Sequence, residues 1–262
     1  MDIMNTIITG AGTGIGAAAA YHLATRGVHV ALVGRRSSML ETVAERIQSV
    51  NGSASLYPAD ISLLQNRHDL HTQIVAKQPD IHMLLHNAAQ LSAGQLDNFT
   101  IGEIQNVIDT NLTAAIDLTR LFLPQIIQSR GVIAFVLSNA SVVPMPYMAL
   151  YGATKAGLQV FARSLRYEVG HLGVRVTLIY PPDTLTPMTA PLRQHSPFSY
   201  PLANADQVGR WIAEGLLTGR THLHTWDGAW WLRAAYHLAP ALVETLLRRN
   251  RHYFANFSGE RE

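Results

Sequence analysis

The chain has 262 residues, 48% of them hydrophobic and 15% charged, with a formal charge of +2. That is enough apolar material for one well-buried domain and too little charge to suggest a nucleic-acid partner. No cysteine is present, which excludes disulfides and thiolate catalysis and fits a reducing, cytoplasmic setting.

Residues 4–9 are a short, apolar, β-prone run. A glycine-rich turn follows at residues 10–16, then a helix over 17–25. A strand, a glycine turn and a helix N-terminus make a phosphate site from backbone N–H groups and the helix dipole. Glycine is needed there where φ is positive or where a Cβ would hold a pyrophosphate away. Gly10, Gly14 and Gly16 give G-x-x-x-G-x-G in place of the stricter G-x-G-x-x-G. Because the first strand starts so early, no leader segment is expected ahead of it.

The second strand is expected over 28–34, ending in Gly34-Arg35-Arg36. Residues 37–50 read as a helix, with Leu40, Val43, Ala44 and Ile47 on one side. A short strand over 54–59, a helix over 63–76 and a strand over 81–86 follow. Residues 101–128 form one long helical region that Pro124 bends or ends. Further strands are predicted over 132–137 and 174–180, flanking a helix over 149–169. Residues 184–200 hold three prolines and no clear period, which predicts a substrate lid over about 184–204. A helix over 205–217 and a short last strand over 222–225 close the pattern. No run of about eighteen uncharged apolar residues occurs, so no spanning helix is expected. The alternation predicts an α/β chain with a single-domain Rossmann fold. It would be a doubly wound parallel sheet of about seven strands, with helices on both faces. Residues 1–225 make that domain, and 226–262 add a C-terminal helical segment.

Tyr151 and Lys155 stand four residues apart on the helix predicted over 149–169, and Ser138 precedes the tyrosine by thirteen. Positions i and i+4 share a helix face. An ammonium held near a phenol favours the phenolate and lowers its pKa. A serine from the preceding strand end can bond the same substrate oxygen. Ser141 and Tyr147 are rivals, but Ser141 has a different offset and no lysine lies four residues after Tyr147.

Taken together, Thr9-Gly10-(x)3-Gly14-Ile15-Gly16, Asp60, Asn87-Ala88-Ala89, Asn111, Ser138, Tyr151-(x)3-Lys155 and Pro181 resemble the classical short-chain dehydrogenase/reductase family. The resemblance implies a nicotinamide cofactor, with Tyr151 as the acid in carbonyl reduction and Lys155 lowering its pKa and bonding the nicotinamide ribose. Ser138 would orient the carbonyl oxygen. Asn111 would hold a water behind Lys155, or serve only as a helix-kink asparagine. Gly10, Thr13, Gly14, Ile15 and Gly16 would take the pyrophosphate. Asp60 would bond the adenine amino group, and Asn87 would lie beside the adenosine ribose. Pro181, Thr184 and Thr186 would hold the carboxamide and phosphates. Arg35, with Arg36, stands where an acidic residue would select NAD; a guanidinium fork there selects NADP. Thr13 and Ala89 depart from the family pattern. Thr13 stands where many NADP-dependent members have a basic residue, and Ala89 where a glycine is usual. Pro181-Pro182-Asp183-Thr184-Leu185-Thr186-Pro187 resembles the 3-ketodihydrosphingosine reductases more narrowly.

From Trp226 the composition shifts toward tryptophan, leucine and arginine, with Pro240 separating two helices. Rings and basic residues together suit a membrane headgroup interface through 226–252; a dimer contact or a flap over the substrate are the alternatives. A homodimer or homotetramer is the expected assembly. The twelve histidines include close pairs, His68/His71 and His222/His224, but no carboxylate cluster joins them and no metal is expected. The reading is thus an NADPH-dependent reductase of an apolar ketone such as 3-ketosphinganine. Against it stand a reductase or dehydrogenase of a smaller soluble substrate, such as a sugar, a steroid or a 3-oxoacyl thioester, and a non-enzymatic NADP-sensing module. An intact Ser138, Tyr151 and Lys155 speaks against the sensor.

Overall fold

The computed structural model describes residues 4–190, 202–224 and 229–255. Its strands are β1 (Asn5–Thr9), β2 (His29–Gly34), β3 (Ser53–Pro58), β4 (Met83–His86), β5 (Val132–Val136), β6 (Arg175–Ile179), β7 (Thr184–Leu185), β8 (Ala203–Asn204) and β9 (His222–Leu223). Seven of them form one parallel sheet in the order β3-β2-β1-β4-β5-β6-β9, and β7 pairs with β8 apart from it. The expected doubly wound α/β sheet is therefore present. Strand direction of winding reverses between β1 and β4, the switch point where such sheets leave a crevice.

Alternation along each strand feeds two cores. Ile7, Ala31, Val33, Ile133 and Phe135 face one side, and Ile8, Val30, Leu32, Val132 and Ala134 face the other. Helices α1 (Gly14–Ala24) and α2 (Ser37–Gln48) cover the second side through Leu23, Leu40 and Ile47. Helix α3 (Leu64–Lys77) covers the first through Leu70 and Ile74. Helix α1 starts at Gly14, three residues before the predicted start, so the glycine turn runs straight into its first turn.

The long helix expected over 101–128 is three pieces: α4 (Ile101–Ile108), a π-helical turn (Asp109–Thr113) and α5 (Ala114–Gln128). The π turn adds a residue to the ladder, and Asn111 sits in it. Pro124 lies inside α5 without ending it, because its ring is carried on a helix already packed by Leu118, Phe122 and Ile126. Helix α6 (Ala149–Val169) packs beside α5, and α7 (Ala205–Leu217) packs on α1. The α1–α7 crossing is so close that a Cβ on Gly209 would strike Ala18 and the backbone of Ala19. Beyond the sheet come α8 (Ala229–Leu238), α9 (Pro240–Arg249) and α10 (His252–Ala255). Pro240 opens α9 at its first turn, where a missing N–H costs nothing.

Candidate active site

A cavity of about 900 Å³ opens above the C-terminal ends of the strands at the switch point. Its floor is the glycine turn. Gly10 and Gly14 have φ of 67° and 57°, which an L side chain resists. A Cβ on Gly10 would also come within 2.8 Å of Ala88 Cα, and one on Gly16 would overlap the Gly10 carbonyl and the Asn87 amide. Thr13 caps α1 with an extended backbone and no side-chain bond of its own. The N–H groups of that first turn have no partner within the helix, and Thr13, Gly14 and Ile15 line the cavity.

The turn is clamped from β4. Asn87 Nδ2 donates to the carbonyls of Thr9 and Gly10, both at 3.1 Å. Thr9 Oγ1 accepts from the N–H groups of Asn87 and Ala88, again at 3.1 Å. Asn87 thus holds the turn in shape while lining the cavity. Ala89 lines it too.

At one end of the cavity stand Arg35 and Arg36, both exposed. Among the described residues neither guanidinium has a hydrogen-bond or ion-pair partner. Across from them lies Asp60, whose Oδ1 accepts from Ser62 N at 3.0 Å and Ser62 Oγ at 2.8 Å. Its loop is pinned by the buried Arg67, which donates to Ile61 O and Ser62 O and pairs with Asp117 at 2.7 Å.

At the other end the structure brings Ser138, Tyr151 and Lys155 together. Ser138 caps the short 3-10 turn Asn139–Ser141 and accepts from Ala140 N at 3.2 Å. Its hydroxyl faces the Tyr151 phenol and acts to lower the phenol's pKa. Lys155 is buried, donates from Nζ to Val136 O at 2.8 Å, and lies 5.9 Å from the centre of the Tyr151 ring. The electrostatics depart from the sequence expectation. Burial pushes the Tyr151 phenol up to about 12, with the Asp183 carboxylate adding to it and the Ser138 bond opposing. Burial also pulls the Lys155 ammonium down to about 8. Lys155 does not lower the phenol in this arrangement: Nζ donates to the Val136 carbonyl, and desolvation is the largest influence on both groups. Tyr151 is protonated at neutral pH, which suits a proton donor.

Asn111 is buried at 1% exposure. Its Oδ1 accepts from Gln90 N at 2.7 Å, and its Nδ2 donates to Gln90 O at 2.9 Å and Thr154 Oγ1 at 3.1 Å. The π turn therefore ties the segment after Asn87 to the helix of Tyr151 and Lys155. Pro181, Thr184 and Thr186 also line the cavity. Thr186 sits over Gly14, where a Cβ would meet its methyl at 3.0 Å. Thr189 Oγ1 donates to Thr184 O at 2.6 Å, and the pairing of β7 with β8 holds the two roots of the predicted lid together. The lid's middle, 191–201, and Trp226 lie outside the described residues. Ser141 turns away and donates to Ser138 O, and Tyr147 does not line the cavity. Gln90 and Thr154 take parts that no sequence spacing announces.

The histidine pairs are structural neighbours of other rings: His71 packs on Phe122, and His222 and His224 stack in line with Tyr180. Among the described residues no three His, Asp or Glu side chains group as a metal site. His86 is buried under the catalytic end, stacked on Phe135 with Nε2 2.9 Å from Thr119 Oγ1. Burial, with the Lys155 charge adding to it, pulls it down from 6.5 to about 3. Between those values the unfolded chain binds a proton that the folded chain refuses. Stability carried by the neutral ring is complete above 6.5 and falls as pH drops toward about 3, by about 1.4 kcal/mol per pH unit. In urea unfolding at a series of pH values, His86→Gln is expected to lose that one-proton slope relative to wild type. Parallel curves between pH 6.5 and 4 would assign the acid sensitivity elsewhere.

The sequence model of the short chain dehydrogenase family matches residues 4–197. The 17-beta-hydroxysteroid dehydrogenase type 3 of Mus musculus is 34% identical over 189 residues, 70% of this chain and 61% of that protein. This chain therefore spans less than two-thirds of that relative's length. A metagenomic short-chain oxidoreductase solved in complex with NADP superposes with a TM-score of 0.73 at 26% identity, over 85% of this chain and 96% of that one. A putative NAD(P) dependent gluconate 5-dehydrogenase from Beutenbergia cavernae, with bound NADP, gives 0.77 at 27% identity, over 87% and 97%. With the glycine turn and the Ser138, Tyr151 and Lys155 group on one cavity, the chain belongs to the short-chain dehydrogenases, oxidoreductases that act on alcohol and carbonyl groups.

Proposed function

We propose that the chain is an NADPH-dependent reductase of an apolar or lipid-like ketone, of which 3-ketosphinganine is one. One observation carries this: a single cavity has a protonated phenol at one end and, at the other, two arginines whose guanidinium groups have no partner among the described residues. Gly14 and Ile15 would receive the pyrophosphate, Arg35 and Arg36 the 2′-phosphate, and Asp60 and Asn87 the adenosine. The cradle fits, since Thr13, Gly14 and Ile15 line the cavity at the start of α1, where the first N–H groups have no partner within the helix. Pro181, Thr184 and Thr186 would hold the carboxamide, and Tyr151 and Lys155 the nicotinamide ribose. The cofactor supplies the hydride when bound. The Ser138 hydroxyl orients the carbonyl oxygen, and Tyr151 passes its proton to that oxygen as negative charge builds there. Lys155 places its ammonium charge behind the phenol, and Asn111 positions the helix that carries both.

Leu91, Pro182 and Met188 on the cavity wall support an apolar substrate, as does the likeness to a hydroxysteroid dehydrogenase. The likeness to a putative gluconate dehydrogenase favours the second reading, a smaller soluble substrate. We place the protein in the cytoplasm on its cysteine-free composition, with the C-terminal hairpin against a membrane. A homodimer or homotetramer is supported by Val160 and Tyr167, both exposed on α6. A carbonyl panel with NADPH and NADH, including steroid ketones, long-chain 3-keto amino alcohols and sugars, tests the reading. Turnover is expected with NADPH on the apolar members; turnover confined to sugars would replace the first reading with the second.

A further inference from the structure

We propose that the hairpin of α8 and α9 seats the protein on an anionic bilayer surface, with its outer apolar stripe and terminal arginines as the contact. The proposal rests on the reading of the site as one for an apolar ketone, because a bilayer is where such a ketone dissolves.

The hairpin has an inner and an outer face. Inside, Val243 is buried, and the buried Arg233 sets its guanidinium 4.5 Å above the Tyr180 ring. Tyr180 in turn donates to Gln159 Oε1 at 2.8 Å, so the hairpin is fastened to α6 through one ring. Outside, Trp231 is 65% exposed, Leu238 86%, Leu242 60% and Leu246 50%. Trp231 and Leu238 are seven apart on α8, and Leu242 and Leu246 four apart on α9, so each pair lies on one helix face. Trp230 stacks on Trp231 with ring centres 4.0 Å apart, which makes one flat aromatic patch.

Charge gives the partner. Residues 229–255 contain four arginines and one acid, Glu244. Glu244 is engaged within the hairpin, accepting from Tyr236 Oη at 2.9 Å. Arg248, Arg249 and Arg251 are exposed at the end that carries Leu246. Indoles and leucines edged by guanidinium groups match a boundary with acyl chains below and anionic headgroups above. A soluble protein partner would need the same mixture in reverse. Among the described residues no helix is long and apolar enough to cross a membrane, so the contact is a surface one. Its placement has a use. Helix α8 packs on the turn Asn139–Ser141, directly after Ser138, so the surface that meets lipid adjoins the end of the cavity where the carbonyl would react.

The test is co-sedimentation of the full chain with vesicles of phosphatidylcholine, with and without phosphatidylglycerol. Binding is expected on the anionic vesicles and is expected to weaken with salt, since the arginine attraction is screened over about 8–10 Å. The combined Arg248→Gln, Arg249→Gln and Arg251→Gln variant should bind them on the order of a hundredfold less, at roughly 1 kcal/mol per arginine. The combined Trp231→Ser, Leu242→Ser and Leu246→Ser variant should not bind either vesicle. No binding by wild type at low salt would overturn the proposal, as would wild-type binding by the arginine variant. So would a changed sedimentation coefficient of the lipid-free serine variant, which would make the stripe a contact between copies. NADPH turnover of a water-soluble short-chain ketone without lipid reads the reductase separately, so either claim can fail alone.

Discussion

Tyr151→Phe is expected to lower kcat by about 10²–10⁴-fold or more while leaving NADPH binding and the fold nearly intact. The residue is half-buried with its phenol facing Ser138 in the cavity, so removing the hydroxyl subtracts the proton donor and little else. Because burial holds the phenol near 12 and Asp183 adds to it, the donor form persists across neutral pH. Ketone reduction should therefore show no loss from phenol ionisation below about pH 9, before any effect of the bound cofactor. Cofactor titration by fluorescence and a melting curve control for folding. A folded Tyr151→Phe protein with near wild-type kcat would remove Tyr151 from the chemistry.

Arg35→Ala should weaken NADPH by about 1.5–3 kcal/mol, roughly 10–150-fold, and leave NADH little changed. The argument is electrostatic. Arg35 and Arg36 are exposed at the cavity end, and among the described residues their guanidinium groups have no partner, so a phosphate could engage them without breaking a bond seen here. An adenosine without a 2′-phosphate offers them nothing comparable. Arg36 would remain, so selectivity should shrink without vanishing. Titrating both cofactors into both proteins checks it; equal losses for NADPH and NADH would place Arg35 outside phosphate recognition.

Much of the architecture was legible because periodic burial writes itself into sequence. The helices over 149–169 and 205–217 fall where the pattern put them, since each has a long amphipathic run with a clear stop. The β7–β8 pair was not legible, as two-residue strands carry no period. Nor was the π turn at Asn111, which leaves the spacing of apolar residues on either side nearly undisturbed. In the site, spacing brought Ser138, Tyr151 and Lys155 to one place, but it did not give their charges. An i,i+4 relation fixes which face a lysine leaves from, while its flexible stem chose the Val136 carbonyl. Desolvation depends on everything packed around the pair, and no local motif records that.

The small pairing of Thr184–Leu185 with Ala203–Asn204 bears on how such an enzyme could change its diet. It joins the two ends of the intervening chain beside the cavity, with Ala203 N bonded to Asp183 O at 2.8 Å. Once those ends are fixed, the cost of closing the loop grows only slowly with its length, by about 0.6 kcal/mol per doubling. Insertions, deletions and wholesale replacement between the ends would leave the glycine turn and the tyrosine helix where they are. The ribbon thus acts as a socket, and new substrates could be acquired by swapping what is plugged into it, without re-evolving the machinery beneath.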